Sequence, residues 1–372
     1  MRDLISARPR RLQQQSLRVR GRKAVNLALV GLVFSLLTAC TSGGAETTTT
    51  AALVTTTEAA VTTAAATATT TTAAVTTAAA APEPIKVRVG IVPATTWLPI
   101  IVAKEAGIFE EHGLDVEITP ITAIADPGLG NQYEIIQNVG PNVALAVLGG
   151  IDEVLISNVA QEGETTTAVM TMPDSGITSI ADLAGKRIGV AATTSAMAQG
   201  LLVLMDQAGL SAADVTFQET PFPTMADQLS GGQVDAIVPV EPFASQAEAA
   251  GAVRLVNPIL EGGSVFSDGE PVIVGFTTSL RSWAEENPGA IDAWRESLTE
   301  AIEFIAADEA ATRAIFQEFT GLPEPIAQTV PFYVYDASPT TPEQLQVWID
   351  ILVQNGEIAA DHNLDPASLV LP

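Results

Sequence analysis

Four short stretches hold the side chains best suited to chemistry, and each falls where a strand-like run gives way to a helix-like one. They are Pro93-Ala94-Thr95-Thr96-Trp97, Gln137-Asn138-Val139-Gly140, Ala192-Thr193-Thr194-Ser195-Ala196-Met197 and Pro239-Val240-Glu241-Pro242-Phe243. Together they offer hydroxyls, carboxamides, an indole and one carboxylate, with no Lys or Arg. Such a set holds a small solute rather than transforms it. Free amides at helix N-termini accept anions, and an indole face stacks on a protonatable ring. The candidate contacts are Thr95, Thr96, Trp97, Gln137, Asn138, Thr193, Thr194, Ser195 and Glu241.

Each of these has a plainer use. Thr96 and Ser195 are natural helix N-caps. Trp97 suits a core as well as a stacking surface, and Asn138 suits a left-handed turn. Asp235 reads as a structural residue at a strand end. Glu241 precedes a proline, so its backbone is held extended, and its carboxylate faces either a cleft or solvent.

No catalytic constellation accompanies them. The chain has no Gly-x-Ser-x-Gly elbow, no zinc motif and no Gly-x-x-x-x-Gly-Lys-Ser/Thr loop. Its single cysteine, Cys40, and two isolated histidines, His112 and His362, make no metal centre. The expectation is a protein that is not an enzyme and needs neither cofactor nor metal.

The elements that must position these stretches alternate. Strands are predicted at Ile85–Val89, Leu114–Ile118, Tyr133–Ile136, Val154–Val159, Thr167–Met172, Lys186–Ala191, Val215–Gln218, Val234–Val238 and Val272–Phe276. Helical runs near 99–106, 196–208 and 224–230 separate them, which argues for an α/β fold with a largely parallel sheet. Gly107 and Gly113 fall where a helical turn should stop. Pro127 and its neighbouring glycines argue against a helix over Ala125–Gly130. Beyond residue 278, Ile291, Trp294, Leu298 and Ile305 recur at helical spacing, as do Leu345, Trp348 and Leu352, with Pro288 and Pro342 opening the two helices.

The N-terminal residues precede any fold. Eight basic residues and one acidic residue lead into an apolar run, Ala24 to Leu37, closed by Leu37-Thr38-Ala39-Cys40. A positive leader, a short apolar core and small residues at the cut describe a secretory signal. Residues 41–84 are nearly all Thr and Ala, too poor in patterned apolar residues to fold, and read as a disordered tether. As a coil of about 44 residues it spans roughly 35 Å. Eight of the 17 basic residues and one of the 43 acidic residues lie in the leader, so the remainder carries nine against 42, a net charge of −33. Such a surface repels nucleic acid and anionic headgroups alike.

Three stretches carry a family resemblance. The first runs from Trp97-Leu98-Pro99 through Glu105-Ala106-Gly107-Ile108-Phe109 to Gly113-Leu114-Asp115-Val116-Glu117. The second runs from Ser175-Gly176-Ile177 through Asp182-Leu183-Ala184-Gly185-Lys186 to Ile188-Gly189-Val190, and the third is Leu229-Ser230-Gly231-Gly232-Gln233-Val234-Asp235-Ala236 with Glu241-Pro242. With Leu-Thr-Ala-Cys resembling a bacterial lipobox, they resemble the solute-binding lipoproteins of ABC importers, in the nitrate/sulfonate/taurine and thiamine-pyrimidine group (SsuA/THI5-like, NMT1). The resemblance covers most of residues 85–300 and fades beyond about 310.

It implies a two-lobe periplasmic-binding-protein fold, type II-like, with two hinge crossovers near Val169–Pro173 and Pro271–Phe276. Lobe one is then 85–170 and 274–372, with the C-terminal helices packed on it, and lobe two is 171–273. Two of the four candidate turns fall in each lobe, on either side of an interlobe cleft. The resemblance further implies lipidation of Cys40 and anchoring to the outer face of the cytoplasmic membrane. It also implies a monomer that captures a small-molecule ligand and delivers it to an ABC permease and its ATPase. With Glu241 in the cleft, the ligand expected is an organic nitrogen or sulfur solute, an aminosulfonate or a pyrimidine thiamine precursor. The other readings are a ligand-sensing lipoprotein of the same fold and a thiamine-pyrimidine synthase-like enzyme.

Overall fold

The structure is a computed structural model and describes residues 83–122 and 128–372. Residues 1–82, with the signal sequence, Cys40 and nearly all of the tether, lie outside the described residues, as do residues 123–127.

The chain opens with β1 (Ile85–Ile91), whose Val87, Val89 and Ile91 are buried by period-two alternation while Lys86 faces out. A 3₁₀ turn over Thr95–Trp97 leads into α1 (Leu98–Glu105), buried along most of its length, and then α2 (Ile108–Glu111). Gly107 and Gly113 adopt φ of 80° and 77°, the left-handed stops that let two short helical turns sit end to end. Next come β2 (Leu114–Pro120), β3 (Ile135–Asn138), α3 (Gly140–Leu148) and β4 (Glu153–Gln161).

The chain then leaves the first sheet. β5 (Val169–Thr171), β6 (Arg187–Val190), α4 (Ala196–Gln207), β7 (Thr216–Glu219) and α5 (Met225–Ser230) follow. This segment ends with β8 (Ala236–Ile237), α6 (Phe243–Ala249), β9 (Val253–Val256) and α7 (Pro258–Gly263). On its return the chain forms β10 (Ile273–Leu280), α8 (Arg281–Glu286), α9 (Pro288–Ala307), α10 (Glu309–Thr320) and α11 (Glu324–Ala327). It closes with β11 (Val334–Tyr335), α12 (Pro342–Gln354) and α13 (Pro366–Leu369).

Two sheets result, ordered β11-β4-β10-β3-β1-β2 and β7-β6-β8-β5-β9. This is a two-sheet α/β fold. The sheets are mixed rather than largely parallel. β1 pairs in parallel with β2 and β3, and β6 with β7 and β8, but every pairing of β4, β5, β9 and β10 is antiparallel. The reason lies in the crossings: β4 carries the chain out of the first sheet and β10 brings it back, so they run in opposite senses side by side.

The first crossing lies earlier than residues 169–173. β5 already pairs with β8 and β9, so the chain changes lobe between Gln161 and Val169. It returns between Val256 and Ile273, with α7 packed on α4 through two glycines. A Cβ on Gly262 would lie 2.4 Å from the carbonyl oxygen of Gly200, so any larger residue there forces the helices apart.

The C-terminal helices divide their allegiance. α9 and α10 pack on α1, and Phe109 stacks on Trp294 with centroids 4.9 Å apart. α12 instead touches both lobes, against α3 in one and α4 in the other. Asn355, which caps its end, donates to the backbone oxygen of Gln199 at 3.0 Å and to its side-chain oxygen at 2.8 Å. The Trp348 indole donates to the Ile273 carbonyl at 2.8 Å and packs where a Cβ on Gly140 would stand, 2.1 Å from its ring. So α12 spans the two lobes instead of covering lobe one alone. Among the described residues no helix is long and apolar enough to cross a membrane.

Candidate functional site

A cavity of about 450 Å³ lies between the sheets, at the carboxyl ends of β1, β3, β6 and β8. The first lobe contributes Val92, Ala94, Thr96, Trp97, Gln137, Val139, Asn142, Leu145, Ala146, Ile151, Val274 and Tyr333. Ala191, Ala192, Thr194, Ser195, Ala196, Met197, Phe222 and Val240 come from the second. No Lys, Arg, His, Asp or Glu is among them.

Gln137 is the most tightly placed polar group. It is the third residue of β3, buried, and its Oε1 accepts the Val92 N–H at 2.6 Å. A backbone N–H can only donate, so this bond settles which end of the carboxamide is which and turns Nε2 into the outward donor. Asn138 has the opposite fate. Sequence patterning ended the strand at Ile136 and put both residues in a turn, whereas β3 runs on through Asn138. Strand alternation then sends neighbouring side chains to opposite faces. Asn138 turns into the sheet, donating to Glu153 at 3.0 Å and Thr278 at 3.3 Å, and does not line the cavity.

The first loop splits similarly. Thr96 and Trp97 line the cavity, and neither the 3₁₀ turn nor α1 has a side-chain cap, so the expected capping role of Thr96 is not realised. Thr95 is fully buried behind them. Its N–H donates to the Glu241 carbonyl at 3.1 Å and its own carbonyl accepts the Tyr335 hydroxyl at 2.7 Å. It ties one lobe to the other and does not line the cavity.

In the second lobe Thr194 and Ser195 reach the cavity while Thr193 does not, its carbonyl instead accepting the Gln199 side chain at 2.9 Å. Ser195 does cap α4, accepting the Ala198 N–H at 3.3 Å. Asp235 is structural as expected, gripping Arg187 through bonds of 2.8 and 3.0 Å.

Glu241 overturns the expected amine contact. Its carboxylate is buried away from the cavity, ion-paired to Arg254, and accepts the Ser245 N–H at 3.1 Å. Burial holds this carboxyl above its ordinary pKa, opposed by the bonds from Arg254 and Ser245. Arg254, on β9, was not anticipated because nothing in the local sequence links it to a residue on the far side of α6.

Three wall residues also escaped sequence reasoning. Tyr333 comes from the loop ahead of β11, its hydroxyl donating to the Thr166 carbonyl at 3.3 Å, and burial pushes its pKa well up, so it stays protonated. Asn142, in the first turn of α3, has a buried Oδ1 with no hydrogen-bond partner. Phe222 stacks on Phe243 with centroids 5.4 Å apart. Pro141, inside α3's first turn, was the one local signal, since Gly140-Pro141 marks the start of the helix that carries Asn142.

The arrangement can therefore seat a ligand between an aromatic wall and neutral hydrogen-bonding groups. Residues 80–318 match the NMT1-like family. The chain belongs to that family. Among solved structures, this NMT1-like chain is similar to the periplasmic aliphatic sulphonate binding protein SsuA from Escherichia coli. The two share a TM-score of 0.63 and 18% identity, over 78% of this chain and 98% of that one. It is similar also to the periplasmic nitrate-binding protein NrtA from Synechocystis PCC 6803, with a TM-score of 0.62 and 14% identity over 76% and 85% of the two chains. Among curated proteins it is 32% identical over 151 residues to a putative thiamine biosynthesis protein of Haemophilus influenzae, covering 37% of this chain and 44% of that one. The NMT1-like chain thus spans less than half the length of the curated relatives it matches.

Proposed function

We propose that the protein is the extracytoplasmic solute-binding component of an ABC importer, capturing a small organic sulfonate or related acceptor-rich solute between its lobes. The observation that carries this reading is the cavity itself. Among the described residues it is lined from both lobes, holds no ionisable group but Tyr333, and presents the pinned Gln137 donor opposite the start of α4. A singly charged anion with a diffuse charge is satisfied by such neutral donors and helix amides without a cation. Val139, Leu145, Ile151 and Met197 supply apolar wall for an organic body, which bare nitrate lacks. The similarity to sulphonate- and nitrate-binding proteins supports the same class.

The paired state of Glu241 removes the reason to favour an amine. A neutral pyrimidine remains the second ligand reading, supported by the Haemophilus relative and by Trp97 as a stacking surface. Binding without turnover is part of the proposal, as are export, lipidation at Cys40 and delivery to a permease and ATPase.

Calorimetry of the full chain against ethanesulfonate, taurine, nitrate and hydroxymethylpyrimidine tests the ligand. Tight ethanesulfonate binding and weak nitrate binding are expected, with each compound recovered unchanged. Preference for nitrate, or for the cation of an alkylamine, would reject the reading. Cys40→Ala should release the protein from membranes with affinity intact.

A further inference from the structure

The hinge contains a buried acid that the ligand cavity does not use. Glu162 follows the last residue of β4, at the point where the chain leaves the first lobe, and is 7% exposed. Its Oε1 accepts the Thr166 hydroxyl at 2.7 Å and the Asn257 side-chain amide at 2.9 Å. Its Oε2 is buried with no hydrogen-bond partner. Asn257 belongs to the returning crossover, where it caps α7 through the N–H groups of Ile259 and Leu260, both at 3.0 Å, and also donates to the Gly163 carbonyl at 2.8 Å. The two hinge strands are thus joined through one carboxyl group. Thr166 links the same group to the cavity wall, because its carbonyl accepts the Tyr333 hydroxyl.

We infer that Glu162 is a proton-operated hinge latch: protonated, it holds the two crossovers together and favours closed lobes, and ionised, it favours opening.

The physical reason is the orphaned Oε2. A carboxylate with one oxygen unsolvated in a dry hinge is costly, and protonation removes that cost. Bending the hinge lets water reach the group, which relieves the charged form instead. Burial raises the carboxyl to about 7, and the bonds from Thr166 and Asn257 at Oε1, with the nearby Thr167 hydroxyl, only moderate that rise. The groups facing it from other elements offer no compensating cation. Tyr333 stays protonated, and Glu241 acts on Tyr333 from the loop before α6. Arg254 on β9 reaches the Thr165 carbonyl at 2.6 Å but is held by Glu241 and Glu248. Glu164, next but one in the chain, is exposed. The sign follows. The closed form binds the proton more tightly, so closure is favoured below the raised pKa and lost as pH rises through it. With the open form titrating near the ordinary carboxylate range, the closure constant falls about 10-fold from pH 6 to pH 8.

The latch does not depend on which ligand binds, so its test needs none. Thr119 and Glu219 are exposed at the carboxyl ends of β2 and β7, the edge strands farthest from the hinge. Spin labels on Thr119→Cys and Glu219→Cys, in the full chain with Cys40→Ser, report interlobe distance by electron–electron resonance between pH 5 and 9. The expected result is a loss of the short-distance population as pH rises from 5 to 8, absent when Glu162→Gln is added, which should stay closed throughout. A distance distribution that ignores pH, or one that titrates equally in Glu162→Gln, would overturn the latch. Should that variant fail to fold, the unsubstituted chain still decides. Its infrared spectrum must show a protonated carboxyl band at pH 6 that is gone by pH 8, and no such band at pH 6 refutes the proposal. Ligand preference can fail independently of either result.

Discussion

The Oε1 of Gln137 accepts the N–H of Val92 at 2.6 Å, so the end of β3 and the loop after β1 together set the polarity of the cavity wall. Gln137→Glu keeps that bond through one carboxylate oxygen and replaces the amide donor with negative charge. Affinity for ethanesulfonate should fall about 30-fold, the equivalent of roughly 2 kcal/mol for a hydrogen bond turned repulsive. Calorimetry on a variant whose melting is unchanged checks it, and unaltered affinity would remove Gln137 from the site.

Trp97 is both wall and core, at 3% exposure. Its truncation to alanine should therefore lower stability by about 3 kcal/mol as well as weaken binding. Trp97→Phe is the sharper probe, since it preserves most of the packing. Binding of hydroxymethylpyrimidine should drop more than binding of ethanesulfonate, because only the flat ring exploits the wider stacking surface. Equal losses would mean that no ring stacks there.

Glu241→Gln breaks a buried ion pair and leaves Arg254 facing Glu248 alone. Urea unfolding should register a loss of about 3 kcal/mol. The carboxylate lies off the cavity, so ethanesulfonate affinity should stay within about 2-fold, as for independent sites. A large change in affinity, measured under conditions where the variant is folded, would place the carboxylate at the ligand after all.

The raised pKa of Glu162 predicts a trend in stability itself. The folded state holds its proton up to about 7, whereas the unfolded chain releases it in the ordinary carboxylate range. Its contribution is therefore full below that range and is lost as pH rises through about 7, amounting to about 3 kcal/mol. Thermal melting of Glu162→Gln between pH 5 and 8 should lack this component and exceed the parent at pH 8. Parallel curves would assign the trend to other groups.

Gly140→Ala would set a Cβ 2.1 Å from the Trp348 ring, whose indole is anchored to the Ile273 carbonyl. The ring cannot move without losing that bond, so the substitution should cost about 2 kcal/mol or more by overpacking. Added Trp348→Phe should recover part of the loss in urea unfolding, because the smaller ring leaves room for the methyl group.

What could be read from the sequence was local. Val87, Val89 and Ile91 alternate, Pro288 and Pro342 open helices, and Gly107 and Gly113 end turns, because strand pleat, proline geometry and left-handed φ act within a few residues. The same locality located the stretches holding Thr96, Trp97, Gln137, Thr194 and Ser195, all of which reach the cavity, although Gln137 does so from a strand and not a turn. Which face of those stretches met the cavity was another matter. Two more residues in β3 sent Asn138 into the sheet, and a single Arg254 on β9 drew Glu241 away from it. Tyr333 reached the wall from a region more than 90 residues beyond Val240. Facing directions of this kind follow from sheet order and from charges brought together across the chain, and only the tertiary structure decides them.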